Sequence, residues 1–130
     1  MPTLTQVDLP ALRALVPMLH VASVLRSVAF YERLGFEVAN AFTPPGEAEP
    51  SFASLRSGGA SLMVVRASAP IDPAQQAVIL TLYCGDVPAF HVALDDAGVA
   101  VEPITYPAER PAGRFRLTDP DGYDLAVTHA

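Results

Sequence analysis

Apolar residues recur with two different periods along the chain, and these periods predict its secondary structure. Residues 16–22 predict a strand, since apolar and branched residues lead into a polar break. Residues 24–34 predict a helix, because an apolar residue returns at every third or fourth position. Ser23 is suited to cap this helix, and Gly35 is suited to end it. Further apolar runs predict three strands, at 36–41, 51–56 and 60–67.

A shift of 63 residues brings the second half of the sequence into register with the first. Under this shift the turn glycines coincide, Gly35 with Gly98 and Gly59 with Gly122. Apolar residues coincide as well, in the pairs Leu19 and Leu82, Val24 and Val87, Val38 and Val101, Phe52 and Phe115, Leu62 and Leu125, and Val64 and Val127. Self-similarity at a fixed offset is the signature of a repeated structural unit. The chain is therefore predicted to be a tandem repeat of two β-α-β-β-β units, over 16–67 and 78–130.

The second unit is predicted to repeat the elements of the first. Asp86 is suited to cap a helix over 87–97 that ends at Gly98. The sequence Asp-Pro-Asp-Gly over 119–122 predicts a tight turn, because proline fixes one φ angle and glycine accepts a positive φ. Strands are predicted at 78–84, 99–104, 113–118 and 123–128. Residues 1–15 precede the first unit and are predicted to form an N-terminal arm or a short helix.

The composition indicates one folded domain over 16–130. The chain has 130 residues, of which 51% are hydrophobic and 17% charged, so it can bury a core and is too apolar for disorder. No apolar run approaches the roughly 20 residues that span a bilayer, and the first residues lack the pattern of a secretory signal. The single cysteine, Cys84, excludes an intrachain disulfide and agrees with a cytoplasmic location. Cys84 lies in an apolar stretch, which favours a core residue over a nucleophile.

The net charge of −6 bears on the choice of partner. It disfavours nucleic acid and anionic membranes, because both attract basic surfaces. It is compatible with a cationic small molecule as ligand.

Three segments carry a resemblance to a known family: 16–36, 82–99 and 115–127. The first contains Ser-Val-Ala-Phe-Tyr followed by Leu-Gly-Phe, and the last contains the turn over 119–122. In this order they resemble the vicinal-oxygen-chelate superfamily, which includes glyoxalases, extradiol dioxygenases and bleomycin-resistance proteins. The resemblance implies an α+β fold in which tandem β-α-β-β-β units form a curled mixed sheet around a cavity. It also implies a homodimer.

The resemblance further implies where metal ligands stand in metal-dependent members of the family. Those ligands are histidine, glutamate or glutamine on the first and last strands of each unit. The matching positions here are Val16, Met63, Ile79 and Ala126. These side chains offer no oxygen or imidazole nitrogen to a divalent cation. We therefore expect neither a metal site nor a cofactor. The three histidines, His20, His91 and His129, are not expected to converge on a relocated site.

Strand alternation predicts which side chains line the cavity. The first and last strands of the units place Met18, His20, Met63, Thr81, Tyr83 and Asp124 on the cavity side. Phe52 and Phe115 could stack on a ligand or belong to the core, and Arg116 could meet an anionic ligand or pair with Asp124. The alternate residues are expected to pack under the helices; they are Leu19, Val21, Leu62, Val64, Leu82, Leu125 and Val127.

These observations predict a metal-independent small-molecule-binding protein that resembles the sequestering bleomycin-resistance proteins. The absence of tryptophan and the 8% aromatic content leave little material for stacking a large planar drug. An alternative is a glyoxalase-like lyase or isomerase, or a dioxygenase-type enzyme, with a relocated metal or with His20 and Tyr83 as an acid–base pair. A third possibility is a structural module whose cavity is filled by its own side chains.

Overall fold

The computed structural model describes residues 9–130, and its architecture is α+β with two mixed sheets and two helices. The first sheet contains β1 (Met18–Val21), β2 (Glu37–Phe42), β3 (Phe52–Ser57) and β4 (Ala60–Arg66), in the order β1-β4-β3-β2. The second sheet contains β5 (Ile79–Cys84), β6 (Arg114–Thr118) and β7 (Asp124–His129), in the order β5-β7-β6. Helix α1 (Val24–Arg33) follows β1, and α2 (Val87–Asp96) follows β5. The predicted fold class is confirmed, although the sheets do not close.

Both helices begin and end where the sequence indicates. The Ser23 hydroxyl accepts a 3.2 Å hydrogen bond from Arg26 N–H, and the Asp86 carboxylate accepts one of 3.0 Å from Ala89 N–H. Each bond satisfies a backbone donor that the first turn of a helix leaves free. Gly35 and Gly98 follow the two helices with positive φ angles of 95° and 80°. The predicted caps and stops are therefore confirmed.

The helix side of each sheet is buried as strand alternation predicts, although Ala126 and Thr128 on the other side of β7 are buried as well. The residues expected under the helices are buried except for Leu82, which is half-buried; they are Leu19, Val21, Leu62, Val64, Leu125 and Val127. They belong to one core that both units share and that contains the rings of Tyr31, Phe36 and Phe115. Buried residues of both units thus pack against one another in one hydrophobic cluster.

The expected strand over 99–104 does not form. Instead, Thr105 makes an isolated bridge with Arg114, and Glu102 N–H donates to Arg116 C=O at 2.9 Å. Pro103 interrupts this segment and has no N–H to give to a ladder, which accounts for the lost strand. The second sheet therefore has three regular strands where the first has four.

The offset of 63 residues holds for some strands and fails for others. Met18 pairs with Met63 and Thr81 with Ala126, so β1 and β4 match β5 and β7 at that offset. The β3–β4 connection is a two-residue turn that follows the pair Ser57 and Ala60. The β6–β7 connection is one residue longer, since Asp119 N–H donates to Tyr123 C=O.

Because of that extra residue, β6 corresponds to β3 at an offset of 62 rather than 63. Phe52 pairs with Val65, whereas Phe115 pairs with Val127, so the two phenylalanines lie on opposite faces of their sheets. The match between Phe52 and Phe115 that the ungapped alignment suggests is therefore wrong.

Only the last residues of the expected N-terminal arm are described by the structure. Residues 9–15 are exposed and form neither helix nor strand, and the rest of the expected N-terminal arm, residues 1–8, lies outside the described residues. Within 9–130, neither helix has the length and apolar character needed to cross a membrane.

Candidate functional site

The face of the first sheet away from its helix is open to solvent and mostly apolar. Two rows of side chains cross it from strand to strand. One row consists of Met18, Met63, Ser54 and Asn40, and the next consists of His20, Val65, Phe52 and Phe42. Met18 is 46% exposed and Phe42 56% exposed, an unusual state for large apolar side chains. We call this surface the first open face.

The corresponding face of the second sheet is more polar. Its rows consist of Ile79, Asp124 and Thr118, then Thr81, Ala126 and Arg116, then Tyr83, Thr128 and Arg114. Ile79 and Tyr83 are 54% and 58% exposed. Arg116 and Asp124 form an ion pair of 3.9 Å, one of the two outcomes expected for Arg116. We call this surface the second open face.

Eight of the nine predicted ligand-binding residues lie on the two open faces. Four of them, Met18, His20, Phe52 and Met63, belong to the first face, and Thr81, Tyr83, Arg116 and Asp124 belong to the second. The exception is Phe115, which is 1% exposed and packs edge-to-face on His91 with ring centroids 4.9 Å apart. Phe115 is a core residue under α2, and its prediction as a ligand contact is corrected.

The positions where the family resemblance implies metal ligands do not fit a divalent cation. Met63 stands opposite Met18, and Ala126 stands opposite Thr81, so neither faces a carboxylate or imidazole directly across the parallel pair. No group of three or more His, Cys, Asp or Glu side chains comes together within residues 9–130. The His91 ring contacts Glu102 C=O at 2.9 Å, whereas His20 and His129 lie on strands of different sheets.

The turn over 119–122 binds the helix of the other unit. The Tyr31 hydroxyl donates a 2.8 Å hydrogen bond to Asp119 Oδ2. Asp119 Oδ1 accepts bonds of 2.9 Å from the N–H groups of Asp121 and Tyr123. Burial raises the pKa of Asp119, and these hydrogen bonds oppose the shift. Burial also raises the pKa of Tyr31, and the Asp119 carboxylate next to it raises it further.

The same turn holds the edge of β1 and the start of α1. Asp121 Oδ1 accepts a 2.9 Å hydrogen bond from Ala22 N–H and one of 3.3 Å from Arg26 Nη2. The Tyr123 hydroxyl donates a 2.9 Å bond to His20 C=O. We call the side chains of Tyr31, Asp119, Asp121 and Tyr123 the cross-unit latch.

The linker between the units covers the latch. Gln76 Nε2 donates a 3.2 Å hydrogen bond to Asp121 C=O. Gly122 has a φ of +89°, and a β-carbon there would stand 2.6 Å from backbone atoms of Pro73. Only glycine fits that position. The sequence predicts the turn but not its partners, because nothing local to 119–123 indicates which distant residues the turn contacts.

One cavity lies beside the latch, and another lies at the equivalent place beside the turn over 57–60. One of about 330 Å³ is lined by His20, Tyr123 and the linker over 67–76. Another, of about 560 Å³, lies at the junction of the units and is lined by the turn over 57–60 and the edge of β5. His20 borders the first cavity and Tyr83 the second, so the structure does not bring this suggested acid–base pair into one pocket. Cys84 is half-buried and borders the second cavity.

Comparison with known proteins supports the family resemblance. The family model described as Glyoxalase/Bleomycin resistance protein/Dioxygenase superfamily matches residues 14–127. A bleomycin-binding protein in complex with bleomycin superimposes with a TM-score of 0.73 at 21% identity, covering 92% of this chain and 99% of that one.

Two further structures come from Streptomyces. The bleomycin-binding protein of Streptomyces verticillus, with copper(II)-bleomycin, has a TM-score of 0.70 at 21% identity and covers 94% of this chain and 99% of that one. The antibiotic-binding protein TnmS3 of Streptomyces sp. CB03234 has a TM-score of 0.70 at 20% identity, with coverages of 95% and 98%. A comparison with curated protein sequences gave no match.

Proposed function

Since the chain belongs to the Glyoxalase/Bleomycin resistance protein/Dioxygenase superfamily, we propose that it binds a small organic molecule without a metal ion and without transforming it. The observation that carries this proposal is the chemistry of the open faces. They offer exposed apolar side chains with a few polar groups, which is the usual lining of a small-molecule site. They offer no ligand set for a metal at Val16, Met63, Ile79 and Ala126.

The two open faces supply different kinds of contact. Met18, Met63 and Phe52 on the first face are adaptable or flat apolar groups that suit the body of an organic ligand. Arg116 and Asp124 on the second face are each more than 40% exposed and can turn to polar groups of a ligand. The net charge of −6 favours a ligand that carries positive charge.

We further propose that the ligand binds between the open faces of two copies of the chain. Met18, Phe42, Ile79 and Tyr83 are all 46% exposed or more, which is costly for a chain that stays single. A homodimer that set the first open face of one copy against the second of its partner would cover these side chains. It would also give the ligand one apolar wall and one polar wall.

Ligand binding tests the proposal directly. Small molecules, with metal-free bleomycin as the first because similar folds bind it, would be ranked by the melting temperature of the protein. Hits would then be titrated by calorimetry into wild type, Met63→Arg and Val92→Arg. Val92 is exposed on α2 and serves as the control. We expect saturable binding that Met63→Arg abolishes and Val92→Arg keeps. Equal binding to Met63→Arg would contradict the assignment of the ligand to the open faces.

Metal independence and the absence of turnover need their own measurements. Protein purified without a histidine tag should contain less than one tenth of an equivalent of transition metal, on the order of background, and Zn²⁺, Mn²⁺ or Ni²⁺ should leave its melting temperature unchanged. The mass spectrum of a bound ligand should be the same after prolonged incubation. Near-stoichiometric metal, or a change of ligand mass, would instead favour an enzyme of the same superfamily.

A further inference from the structure

We propose that the cavity of about 560 Å³ at the junction of the units, the junction cavity, binds a small uncharged aromatic alcohol. Thr81 and Tyr83 of the second open face border this cavity, but its other lining residues lie outside both faces. The proposal does not rest on the function proposed for the open faces. It rests on a difference between two equivalent turns: the turn over 119–123 carries side chains of the cross-unit latch, whereas the turn over 57–60 borders the junction cavity.

Asp121 and Tyr123 of the latch have no counterparts in the turn of the first unit. Strands β4 and β7 match at an offset of 63 residues, so Ala60 stands where Tyr123 would. The turn that precedes Ala60 is one residue shorter than the turn over 120–122, and its two residues are Gly58 and Gly59. A β-carbon on either glycine would meet no atom within 4 Å. The phenol ring and the carboxylate of the latch are therefore both missing here.

The backbone groups that the latch would contact are present and free. Tyr83 C=O corresponds to His20 C=O, which accepts from the Tyr123 hydroxyl. Gly85 N–H corresponds to Ala22 N–H, which donates to Asp121. Within residues 9–130, Gly85 N–H makes no hydrogen bond and Tyr83 C=O accepts none from a side chain. One acceptor and one donor are thus available to a ligand at the edge of β5.

None of the residues that line the junction cavity is Asp, Glu, Lys or Arg, which favours an uncharged ligand, and the residues around it argue against an anion. Ala89 stands where Arg26 supports the Asp121 carboxylate in the latch, so an anion would lack its counterion. Asp86 stands in the position of Ser23 and adds a negative charge at the start of α2. A hydroxyl group of a ligand in the cavity can donate to Tyr83 C=O, as the Tyr123 hydroxyl donates to His20 C=O in the latch.

The walls of the junction cavity indicate an aromatic body. Leu34, Phe36 and Phe90 line it, and Phe90 replaces the small Ser27 of the other unit. Phenylalanine rings next to a cavity of this size favour a flat ligand that can stack or meet them edge-on. The Tyr123 side chain shows the kind of group that fits the equivalent place, a ring with one hydroxyl.

Binding of 2-naphthol tests the proposal, because this probe has a flat apolar body, one hydroxyl group and no charge at neutral pH. Its affinity for the full chain would be measured by calorimetry and by ligand-detected NMR, with 2-naphthoate as the charged analogue. The variants are Ala60→Tyr, which places a phenol where the latch has Tyr123, and Ala60→Ser, which leaves the space open. Gly59→Leu fills the cavity from a second position in case Ala60→Tyr folds poorly. Met63→Arg changes the first open face instead.

We expect 2-naphthol to bind wild type, Ala60→Ser and Met63→Arg with the same affinity, and 2-naphthoate to bind at least about tenfold more weakly. Ala60→Tyr and Gly59→Leu should each weaken 2-naphthol by about tenfold or more. Failure of wild type to bind the probe, or unchanged binding in both filled variants, overturns the proposal. So does loss of binding in Met63→Arg, since the probe would then be on the open face. If 2-naphthol binds only at protein concentrations low enough for the chain to be monomeric, a second copy of the chain fills the cavity in the dimer. That result also overturns the proposal.

Discussion

The hydroxyl of Tyr31 and the carboxylate of Asp119 lie 2.8 Å apart although 88 residues separate them in the sequence. Both side chains are buried, and the bond joins the helix of the first unit to a turn of the second. Leaving either partner alone in the core would cost the desolvation of a polar group. The hydrogen bond thus joins the two units within the hydrophobic core that they share.

Replacing Tyr31 with Phe keeps the ring and removes this hydrogen bond. We expect the free energy of unfolding to fall by about 1–3 kcal/mol, since Asp119 Oδ2 would lose its donor in a buried place. Urea unfolding followed by circular dichroism gives the value. Tyr106→Phe is the control, because Tyr106 is 61% exposed and should change stability by less than about 0.5 kcal/mol. Equal effects of the two substitutions would contradict a role of the latch in stability.

The stability of the wild type should also decline in alkaline solution because of Tyr31. Its pKa in the folded protein lies above the ordinary value of 10.0, so the folded state keeps the proton that the unfolded state releases. The stability that Tyr31 contributes is therefore complete below pH 10.0 and is lost as the pH rises beyond it. Between pH 8 and about 11, the free energy of unfolding should fall less steeply with pH in Tyr31→Phe than in wild type. The same pH dependence in both proteins would mean that folding does not raise the pKa of Tyr31.

Gly122 should tolerate no side chain. Gly122→Ala would strain a positive φ of 89° and push a β-carbon to 2.6 Å from Pro73. Gly46→Ala is the matched control, because Gly46 has a φ of 82° and open space around it. We expect Gly46→Ala to cost about 1 kcal/mol, from backbone strain alone, and Gly122→Ala to cost more than about 2 kcal/mol. Similar melting temperatures for the two variants would indicate that Pro73 moves aside freely.

The proposed dimer makes a prediction about two exposed apolar residues. Ile79 on the second open face is 54% exposed, and Val92 on α2 is 56% exposed. If the open faces pair, Ile79→Asp buries an unpaired charge at the interface and should raise the dimer dissociation constant by about 100-fold or more. Val92→Asp should leave it unchanged. Sedimentation velocity over a concentration series measures both, and a monomeric wild type would refute the pairing.

Arg116→Ala should separate ligand binding from stability. Its ion pair with Asp124 is 3.9 Å long and both side chains are more than 40% exposed, so its loss should change stability by less than about 1 kcal/mol. If Arg116 contacts ligand on the second open face, the same substitution should weaken binding at least about fivefold. Calorimetric titration and thermal melts on one preparation compare the two effects. A stability loss larger than the binding loss would mark Arg116 as a structural residue.

Much of this architecture follows from short-range patterns. The caps at Ser23 and Asp86 and the burial pattern along β4 depend on neighbouring residues, and the sequence predicts them well. The equivalence of Phe52 and Phe115 was misleading because two identical residues hid a turn that is one residue longer in the second unit. Turn length depends on hydrogen bonds across the ladder, such as that between Asp119 and Tyr123, which identities at a fixed offset do not report.

The latch and the junction cavity are outside the reach of such patterns for a different reason. Their contacts join residues that are far apart in sequence, as in the 103 residues between His20 and Tyr123. Only the folded core brings these residues together, and only the folded structure shows that Ala60 lacks the ring and hydroxyl that Tyr123 has at the equivalent position.

The large sequence separation between the partners of the latch also affects how the protein folds during its synthesis on the ribosome. The start of α1 and the edge of β1 are synthesised early, whereas their partners Asp121 and Tyr123 are synthesised about a hundred residues later. Until then the first unit has an exposed strand edge, which is the kind of surface on which nascent chains associate wrongly. The edge closes only when residues 119–123 have left the ribosome and docked, and a delay before that docking would prolong the time during which a molecular chaperone has to shield the first unit.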